Sequence, residues 1–208
     1  MSSGPASAAV ALALFFAPAA SAAAPSRENV GRASLSFYWI IDESSPQYRR
    51  RADALLRDVR GRVLASTSRK FRRELVLEGI GWLRDGRAVM YDRKKNGEHR
   101  FRIAKERNGL TVTGCALVPF RTVAVDPHVI KLGSRIYIPQ LKGARLPDGT
   151  IHDGVFIASD RGHFRGKHVD LFVGQGPRGA RPFVRRGYPS RSHVTVVLLQ
   201  SGRNPCGG

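Results

Sequence analysis

The sequence predicts a mainly β protein whose C-terminal half forms a small barrel. Five short runs rich in β-branched and aromatic residues follow Thr122, and residues typical of turns separate them. This spacing favours a barrel over alternating strands and helices. A chain of 208 residues with 42% hydrophobic residues can form one ordinary domain with an extension, but not two domains of full size.

Two surface loops interrupt the predicted strands. The first, Leu141 to Asp153, is rich in Gly, Pro and Asp, and the second, Gly174 to Arg191, is longer and basic. Its arginines either pair with carboxylates of a ligand or form an ordinary solvated surface. The predicted strands are Thr122–Val125, Ser134–Ile138, Val155–Ser159, Val169–Val173 and His193–Gln200.

The first 24 residues are typical of a secretory signal peptide. An apolar run from about Ala8 to Ala20 precedes small residues that suit cleavage near Ala22 to Ala24, although no basic residue precedes the run. The alternative is a disordered alanine-rich leader. The run is too short for a transmembrane anchor, and no cysteine lies near the cleavage site to carry a lipid. We therefore expect a periplasmic or secreted protein.

Residues 25–109 are expected to form a β-rich extension. Ala33 to Ile41 is a strand that packs within or against the barrel. Gln47 to Val59 has helical spacing, but a hairpin over Leu56 to Ser66 about Arg60-Gly61 is the alternative. A second hairpin is predicted from Glu74 to Tyr91, because Asp85-Gly86 favours a tight turn.

The remainder of the extension is predicted to contain an exposed loop, Asp92 to Glu98, followed by two short strands, Arg100 to Ile103 and Leu110 to Thr113. Nothing from Lys70 to Arg107 indicates catalysis. Two aromatic residues in the hairpin either belong to the core or stack on sugar rings. These residues are Trp82 and Tyr91.

The chain is strongly basic, with a formal net charge of +19. Such a charge attracts polyanions, such as anionic envelope polymers or, non-specifically, nucleic acid. Biased codon usage is the alternative explanation for so many arginines. No recognisable nucleic-acid module accompanies the charge, so we expect no specific nucleic-acid partner.

Three aspartates stand at the edges of apolar runs between Val123 and Gly174. Asp126 precedes a proline, while Asp160 and Asp170 bracket a short glycine-containing loop. A carboxyl group at a strand end, next to apolar residues that limit hydration, can have a pKa high enough for acid catalysis. The alternative is that all three are ordinary turn residues. No metal-binding motif is present, and we expect no cofactor.

The sequence from about Leu110 to Gln200 resembles the three-aspartate (3D) domain of membrane-bound lytic transglycosylase A and related secreted cell-wall proteins. The motifs that carry the resemblance are AVDP, IKLGSRIYI, ASDRG and GKHVDLF. The resemblance implies that residues 110–208 form a six-stranded double-psi β-barrel and that the protein cleaves peptidoglycan glycan strands. The family usually has a loop of the form D-x-G-G-A-I-K-G, but here it is one residue shorter and contains His163 and Phe164.

The resemblance also implies roles for individual residues. Asp170 matches the last aspartate of the motif and is the expected general acid and base, with Asp160 raising its pKa or holding it, and Asp126 fixing the end of the barrel. The product would be a 1,6-anhydro-MurNAc end on a MurNAc-GlcNAc strand, and the protein is expected to be a monomer. The predicted substrate-binding residues lie in the loop between the last two aspartates: Gly162, His163, Gly166 and Lys167.

The two cysteines, Cys115 and Cys206, lie near the two ends of the barrel region. An even pair in an oxidising compartment indicates a disulfide, and two free thiols are the alternative. A different class of function also stays open: a non-catalytic protein that binds or loosens the cell wall on the same barrel, since fold alone does not establish an activity.

Overall fold

The computed structural model describes residue 1, residues 28–49 and 52–203, and residue 206. The predicted signal peptide falls almost entirely on residues 2–27 and so lies outside the described residues. The strands are β1 Glu28–Asp42, β2 Ala54–Arg57, β3 Val63–Thr67, β4 Ile80–Trp82, β5 Ala88–Lys95, β6 Glu98–Ile103, β7 Thr122–Val125, β8 Ser134–Tyr137, β9 Val155–Arg161, β10 His168–Gln175 and β11 His193–Gln200. The α-helices are α1 Arg69–Glu78 and α2 Arg181–Val184, and 3-10 turns occur at Pro46–Tyr48, Pro139–Leu141 and Pro177–Ala180.

Six strands close into a barrel, as the sequence predicted. Their order is β10, β7, β9, β8, β11 and β1, and pairing of β1 with β10 closes the ring. All five strands predicted after Thr122 are present within one or two residues of their expected bounds. The double-psi connection between them stays a prediction.

The sixth barrel strand is β1, which comes from the segment before the predicted boundary at residue 110. It pairs in parallel with β10 and antiparallel with β11. Its inward residues alternate with outward ones: Leu35 and Phe37 join the barrel core, while Ser36 and Tyr38 face the other side. The barrel core also contains Val123, Val125, Ile136, Phe156, Val169, Leu171, Phe183, Val194 and Val196.

The end of β1 continues into a smaller lobe, formed by β2 to β6 with α1. Ile41 and Asp42 pair in parallel with Gly81 and Trp82 of β4, which then pairs with β5. The lobe has its own core, made of Ile41, Tyr48, Leu56, Phe71, Leu75, Leu83, Val89 and Phe101. A third cluster packs the lobe against the barrel's outer face and contains Tyr38, Ile40, Ile80, Met90, Leu117, Ala124 and Phe172.

The predicted helix from Gln47 to Val59 is wrong, and the alternative hairpin is correct. The Asp58 carboxylate accepts the backbone N–H groups of Arg60 and Arg62, and Gly61 adopts φ 85°, so the chain turns back between β2 and β3. This local side-chain bonding replaces the helical hydrogen bonds that the apolar spacing suggested.

The predicted hairpin from Glu74 to Tyr91 is correct only from Ile80 onward, because residues before it form α1. Ser68 caps this helix by accepting the N–H of Phe71, and Gly79 ends it with φ 81°. Phe71 and Leu75, four residues apart, bury one face of the helix in the lobe core.

Three other local predictions differ from the structure. The exposed loop Asp92 to Glu98 is a tight turn at Asn96-Gly97 that continues β5 into β6. The strand Leu110 to Thr113 is reduced to one bridge between Leu110 and Ala116, within an irregular segment. The loop after Gly174 contains a 3-10 turn and α2. No helix in the described part of the chain is long and apolar enough to cross a membrane.

Candidate active site

A cleft of about 630 Å³ lies between the outer face of the barrel and the small lobe. All three predicted aspartates line it, Asp160 on β9, Asp170 on β10 and Asp126 directly after β7. The lobe contributes Glu78, Ile80, Met90, Tyr91 and Arg102, and the segment before β7 contributes Leu110, Val112 and Leu117. Carboxylates therefore meet apolar walls in a concave site, as expected for a ligand-binding cleft.

Strand register places the two central carboxylates in one row. Ala124 on β7 pairs with Asp160 on one side and with Asp170 on the other, and Asp170 pairs with Ser36 of β1. Neighbouring strands are about 4.8 Å apart, so the Cα atoms of Asp160 and Asp170 are roughly 10 Å apart. In this row Ala124 is the residue between the two aspartates.

Asp170 has the properties required of an acid at neutral pH. Ser36 Oγ donates to its Oδ1 at 2.6 Å, which leaves Oδ2 as the oxygen available to carry a proton. Burial raises the pKa of Asp170 from 3.8 to about 6, and the neighbouring charge of Asp160 adds to the rise, while the Ser36 hydrogen bond opposes it. Desolvation is therefore the main cause, and the like-charge effect is secondary.

His168 contacts the same Ser36 hydroxyl group that donates to Asp170. Its Nε2 lies 2.7 Å from Ser36 Oγ. Because the hydroxyl gives its one proton to Asp170, Nε2 is the donor in this contact. Phe164 stacks on the imidazole with ring centroids 4.0 Å apart, and burial lowers the pKa of His168, which keeps the ring neutral at pH 7.

Asp160 is held by three donors. Its Oδ1 accepts the N–H groups of Val112 at 3.1 Å and Arg161 at 2.9 Å, and its Oδ2 accepts the hydroxyl of Tyr38 at 3.2 Å. Burial raises its pKa, although these hydrogen bonds and the nearby His163 favour the carboxylate. The same burial, with the charges of Asp160 and Asp170, raises the pKa of Tyr38 and keeps that hydroxyl protonated.

Asp126 is bound mainly by backbone. Its Oδ2 accepts the N–H of Gly166 at 2.8 Å, and its Oδ1 accepts that of His128 at 3.1 Å. These two donors lower the pKa of Asp126, so the group is ionised at neutral pH. Asp126 thus fixes the loop between β9 and β10 to the end of β7.

The loop between β9 and β10 contributes only part of its predicted substrate-binding set to the cleft. Gly162 and His163 line it, together with Phe164 and Arg165. Gly166 instead donates to Asp126, and the carbonyl of Lys167 accepts the N–H of Ser34; neither residue is part of the lining. A side chain at position 162 would collide with the Phe164 ring, since an added Cβ would lie 2.1 Å from it.

The sequence gives no indication of one cleft residue in the lobe, Glu78, since nothing from Lys70 to Arg107 indicates catalysis. Glu78, the last residue of α1, lines the cleft and accepts the N–H of Trp39 at 3.1 Å. Burial raises its pKa to about 7, with smaller contributions from Asp170 and Glu74. Tyr91 also lines the cleft, whereas Trp82 donates to the Arg107 carbonyl outside it. Recognition of the Ser68 and Gly79 caps would have placed Glu78 at a helix end.

A disulfide joins Cys115 to Cys206, as the sequence indicated. It anchors the irregular segment that contacts Asp160, because Val112 donates to that carboxylate and Thr113 Oγ1 donates to the Ser159 carbonyl. Among the described residues, no group of three or more His, Cys, Asp and Glu side chains could hold a metal ion.

A known domain family matches the part of the barrel that carries the aspartates. Residues 121–188 match the family model of the 3D domain. All three aspartates and the loop between β9 and β10 fall within the match.

Solved structures with a similar fold are lytic transglycosylases. MltA from Escherichia coli has a TM-score of 0.50 at 14% identity, over 83% of this chain and 73% of that one. The same protein with bound chitohexaose has a TM-score of 0.55 at 13% identity and the same coverage. A membrane-bound lytic murein transglycosylase from Agrobacterium tumefaciens has 0.54 at 16%, over 84% and 75% of the two chains.

At these identities the likeness shows a shared fold, which includes the lobe as well as the barrel. No curated protein sequence matches the chain significantly.

Proposed function

We propose that this protein is a lytic transglycosylase that cleaves the MurNAc-GlcNAc strands of peptidoglycan and leaves 1,6-anhydro-MurNAc ends. The observation that carries the proposal is Asp170, a half-buried carboxyl group with its pKa raised to about 6, facing a cleft between two lobes. The 3D domain match and the fold shared with lytic transglycosylases support it.

The proposed reaction needs one acid that later acts as a base. Asp170 Oδ2 gives its proton to the glycosidic oxygen as the bond to the sugar's anomeric carbon breaks and positive charge develops on that sugar. The C6 hydroxyl of the same sugar attacks the anomeric carbon, and Asp170 takes the hydroxyl proton back. Because no water is activated, a second carboxylate dedicated to that step is not required.

The neighbouring residues set the state and position of this acid. Ser36 orients the carboxyl through Oδ1, and Asp160 discourages ionisation of both carboxyl groups together. Tyr38 and backbone donors favour the ionised form of Asp160, and in that form its charge stabilises positive charge on the sugar. Asp126 acts indirectly, by holding the loop that lines the cleft.

Substrate contacts are proposed on both sides of the cleft. On the barrel side the loop residues Gly162 and His163 meet the glycan, with Gly166 and Lys167 supporting the loop. On the lobe side the ring of Tyr91 offers a stacking surface for a sugar face, and Glu78 offers a carboxyl that is partly protonated at pH 7. The chitohexaose bound by E. coli MltA supports a glycan as the ligand class.

Because peptidoglycan lies outside the cytoplasmic membrane, we propose that the protein is a periplasmic or secreted monomer. The charge of +19 adds affinity for the anionic groups of the wall.

Product analysis tests the function. Purified sacculi incubated with the wild-type protein should release soluble muropeptides with 1,6-anhydro ends, detected by mass spectrometry. Muropeptides with reducing ends would instead indicate hydrolysis by water and contradict the transglycosylase reaction.

One observation favours the alternative, a non-catalytic protein that binds the wall. Phe164 packs over Gly162 and stacks on His168, so an aromatic ring occupies part of the loop where the family usually has small residues. Strong binding to sacculi without any release of products would establish this second function.

A further inference from the structure

A second cleft, of about 770 Å³, lies at the end of the barrel where β7 begins and β10 ends. It shares no lining residue with the cleft that contains Asp170. Five arginines surround it, and no acidic residue is part of its lining: Arg145, Arg178, Arg181, Arg185 and Arg186. We refer to it as the basic cleft.

Local structure concentrates this charge on one wall. Arg178, Arg181 and Arg185 lie at positions i, i+3 and i+7 of the continuous turn formed by the 3-10 segment Pro177–Ala180 and α2, which puts them on one face. All five arginines are exposed, and none forms an ion pair with any described residue. Like charges at this spacing repel one another, so an anion would relieve the repulsion.

The floor of the basic cleft is apolar. It is formed by the half-buried residues Pro119, Phe120, Leu146 and Pro182. Phe120 has φ 62°, a conformation that a bulky residue rarely adopts. Its N–H donates to the Phe172 carbonyl, and its own carbonyl lies 2.6 Å from His152 Nε2. Strained residues held in this way are frequent at ligand sites.

We propose that the basic cleft binds an anionic phospholipid, with the phosphate head group on the arginines and the adjoining carbon chain on the apolar floor. The planar guanidinium group matches a phosphate with two parallel hydrogen bonds. A soluble sugar or polyol phosphate would need polar partners for its hydroxyl groups, which a floor of Pro119, Phe120, Leu146 and Pro182 does not offer. This binding is independent of glycan cleavage.

Vesicle binding tests the proposal. The purified full-length mature protein should co-sediment with vesicles of phosphatidylcholine mixed with phosphatidylglycerol, and much less with phosphatidylcholine alone. Replacing Arg178, Arg181 and Arg185 together by Gln should weaken binding to the mixed vesicles by about a hundredfold. Equal binding to both vesicle types, or no binding to either, would overturn the proposal.

A matched control separates the cleft from net charge. Arg60, Arg135 and Arg203 are also exposed and lie outside the basic cleft, so their replacement by Gln removes the same charge elsewhere. This control should bind nearly as well as wild type. An equal loss in both triple variants would show that overall charge causes the binding and would contradict a specific site.

A third variant tests the apolar half of the site. Leu146→Asn should lower affinity for the mixed vesicles while leaving the thermal unfolding midpoint within a few degrees of wild type. If Leu146→Asn binds vesicles normally and inorganic polyphosphate binds only when the three arginines are present, the cleft belongs to a soluble phosphate polymer and the lipid is excluded.

Discussion

The chemistry at the residue scale depends on the contrast between Asp170 and Asp126. Both are aspartates at the same cleft, yet burial raises the pKa of Asp170 to about 6, whereas backbone N–H donors lower that of Asp126. One group is therefore suited to proton transfer and the other to holding a loop. Residue type alone does not separate them, since only the hydrogen-bond partners and the depth of each carboxyl decide its state.

The pH dependence of cleavage follows from the pKa of Asp170. The acid must be protonated to donate, so kcat/KM should be highest below about pH 6 and fall about tenfold for each further pH unit above it. Initial rates of muropeptide release measured from pH 4 to pH 9 would check this. A rate that stays constant up to pH 8 would contradict Asp170 as the acid in this state.

Ser36→Ala should shift this profile upward. The Ser36 hydrogen bond favours the ionised form of Asp170, so its removal raises the pKa further, and loss of orientation lowers kcat by about tenfold. Ser34→Ala is the matched control, because Ser34 lies two residues earlier on the same strand, where its register partner is His168, and the hydrogen bond to Asp170 comes from Ser36. Equal profiles for the two variants would show that Ser36 is not a positioning residue.

At the scale of elements, β1 determines how the site is assembled. This 15-residue strand completes the barrel, supplies Ser36 and Tyr38 to the two carboxylates, and then pairs with β4 of the lobe. Because β1 pairs with strands of both the barrel and the lobe, it fixes the position of the lobe residues Glu78 and Tyr91 relative to Asp170. The cleft is thus a product of long-range pairing between distant parts of the chain.

The Cys115–Cys206 disulfide should stabilise both the fold and the site. It closes a loop with a sequence separation of 91, for which chain entropy alone gives roughly 4 to 5 kcal/mol. The double variant Cys115→Ser/Cys206→Ser should therefore unfold at lower denaturant, and its activity should fall because Val112 is less firmly held against Asp160.

Equilibrium unfolding in urea, with and without reductant, would measure this effect. Wild type under reducing conditions should behave like the double variant. If the double variant matches oxidised wild type in stability, the bridge does not contribute as described.

The elements differ in how well the sequence predicts them. β7 to β11 carry dense runs of β-branched residues and were predicted closely, since burial on the barrel's inner face dictates their pattern. The sequence did not predict α1 because the apolar run at its end, Leu75 to Leu77, resembles the strands that follow, and only its caps distinguish it. The sequence predicted a helix, with the hairpin β2–β3 as the alternative, because the hairpin depends on the turn that the Asp58 carboxylate stabilises.

The site was predictable where motif residues are close in sequence and unpredictable where they are not. Asp160, Asp170 and their loop lie within about ten residues of one another, and the motif places them together. Ser36 and Glu78 join them only through the pairing of β1 with β10 and the packing of α1 on the barrel. No local pattern around either residue indicates that pairing.

At the scale of the whole molecule, charge should govern part of the affinity for the wall. The formal charge of +19 creates an attraction that salt screens over distances of about 10 Å at 0.1 M ionic strength. Retention on purified sacculi should therefore fall steadily as salt is raised. A pull-down across a salt series that shows constant retention would mean that contacts with the uncharged glycan alone provide the binding.

Replacement of Asp170 must also be interpreted at the scale of the whole molecule, because it changes stability as well as chemistry. Because folding raises the pKa of Asp170 from 3.8 to about 6, the ionised carboxyl group destabilises the folded state. This cost is absent below pH 3.8, and as pH rises through 6 it lowers the free energy of unfolding by about 3 kcal/mol. Asp170→Asn removes this cost, so at pH 7 the variant should unfold no earlier than wild type.

The most direct test of Asp170 as the catalytic acid compares Asp170→Asn, Asp160→Asn and wild type on purified sacculi, with soluble products identified by mass spectrometry. Asp170→Asn keeps the shape of the side chain but cannot donate and retake a proton, so it should bind sacculi and release no 1,6-anhydro-muropeptides. Asp160→Asn should release them more slowly and with a shifted pH optimum. Release by Asp170→Asn at the wild-type rate would contradict the assignment of Asp170 as the catalytic acid.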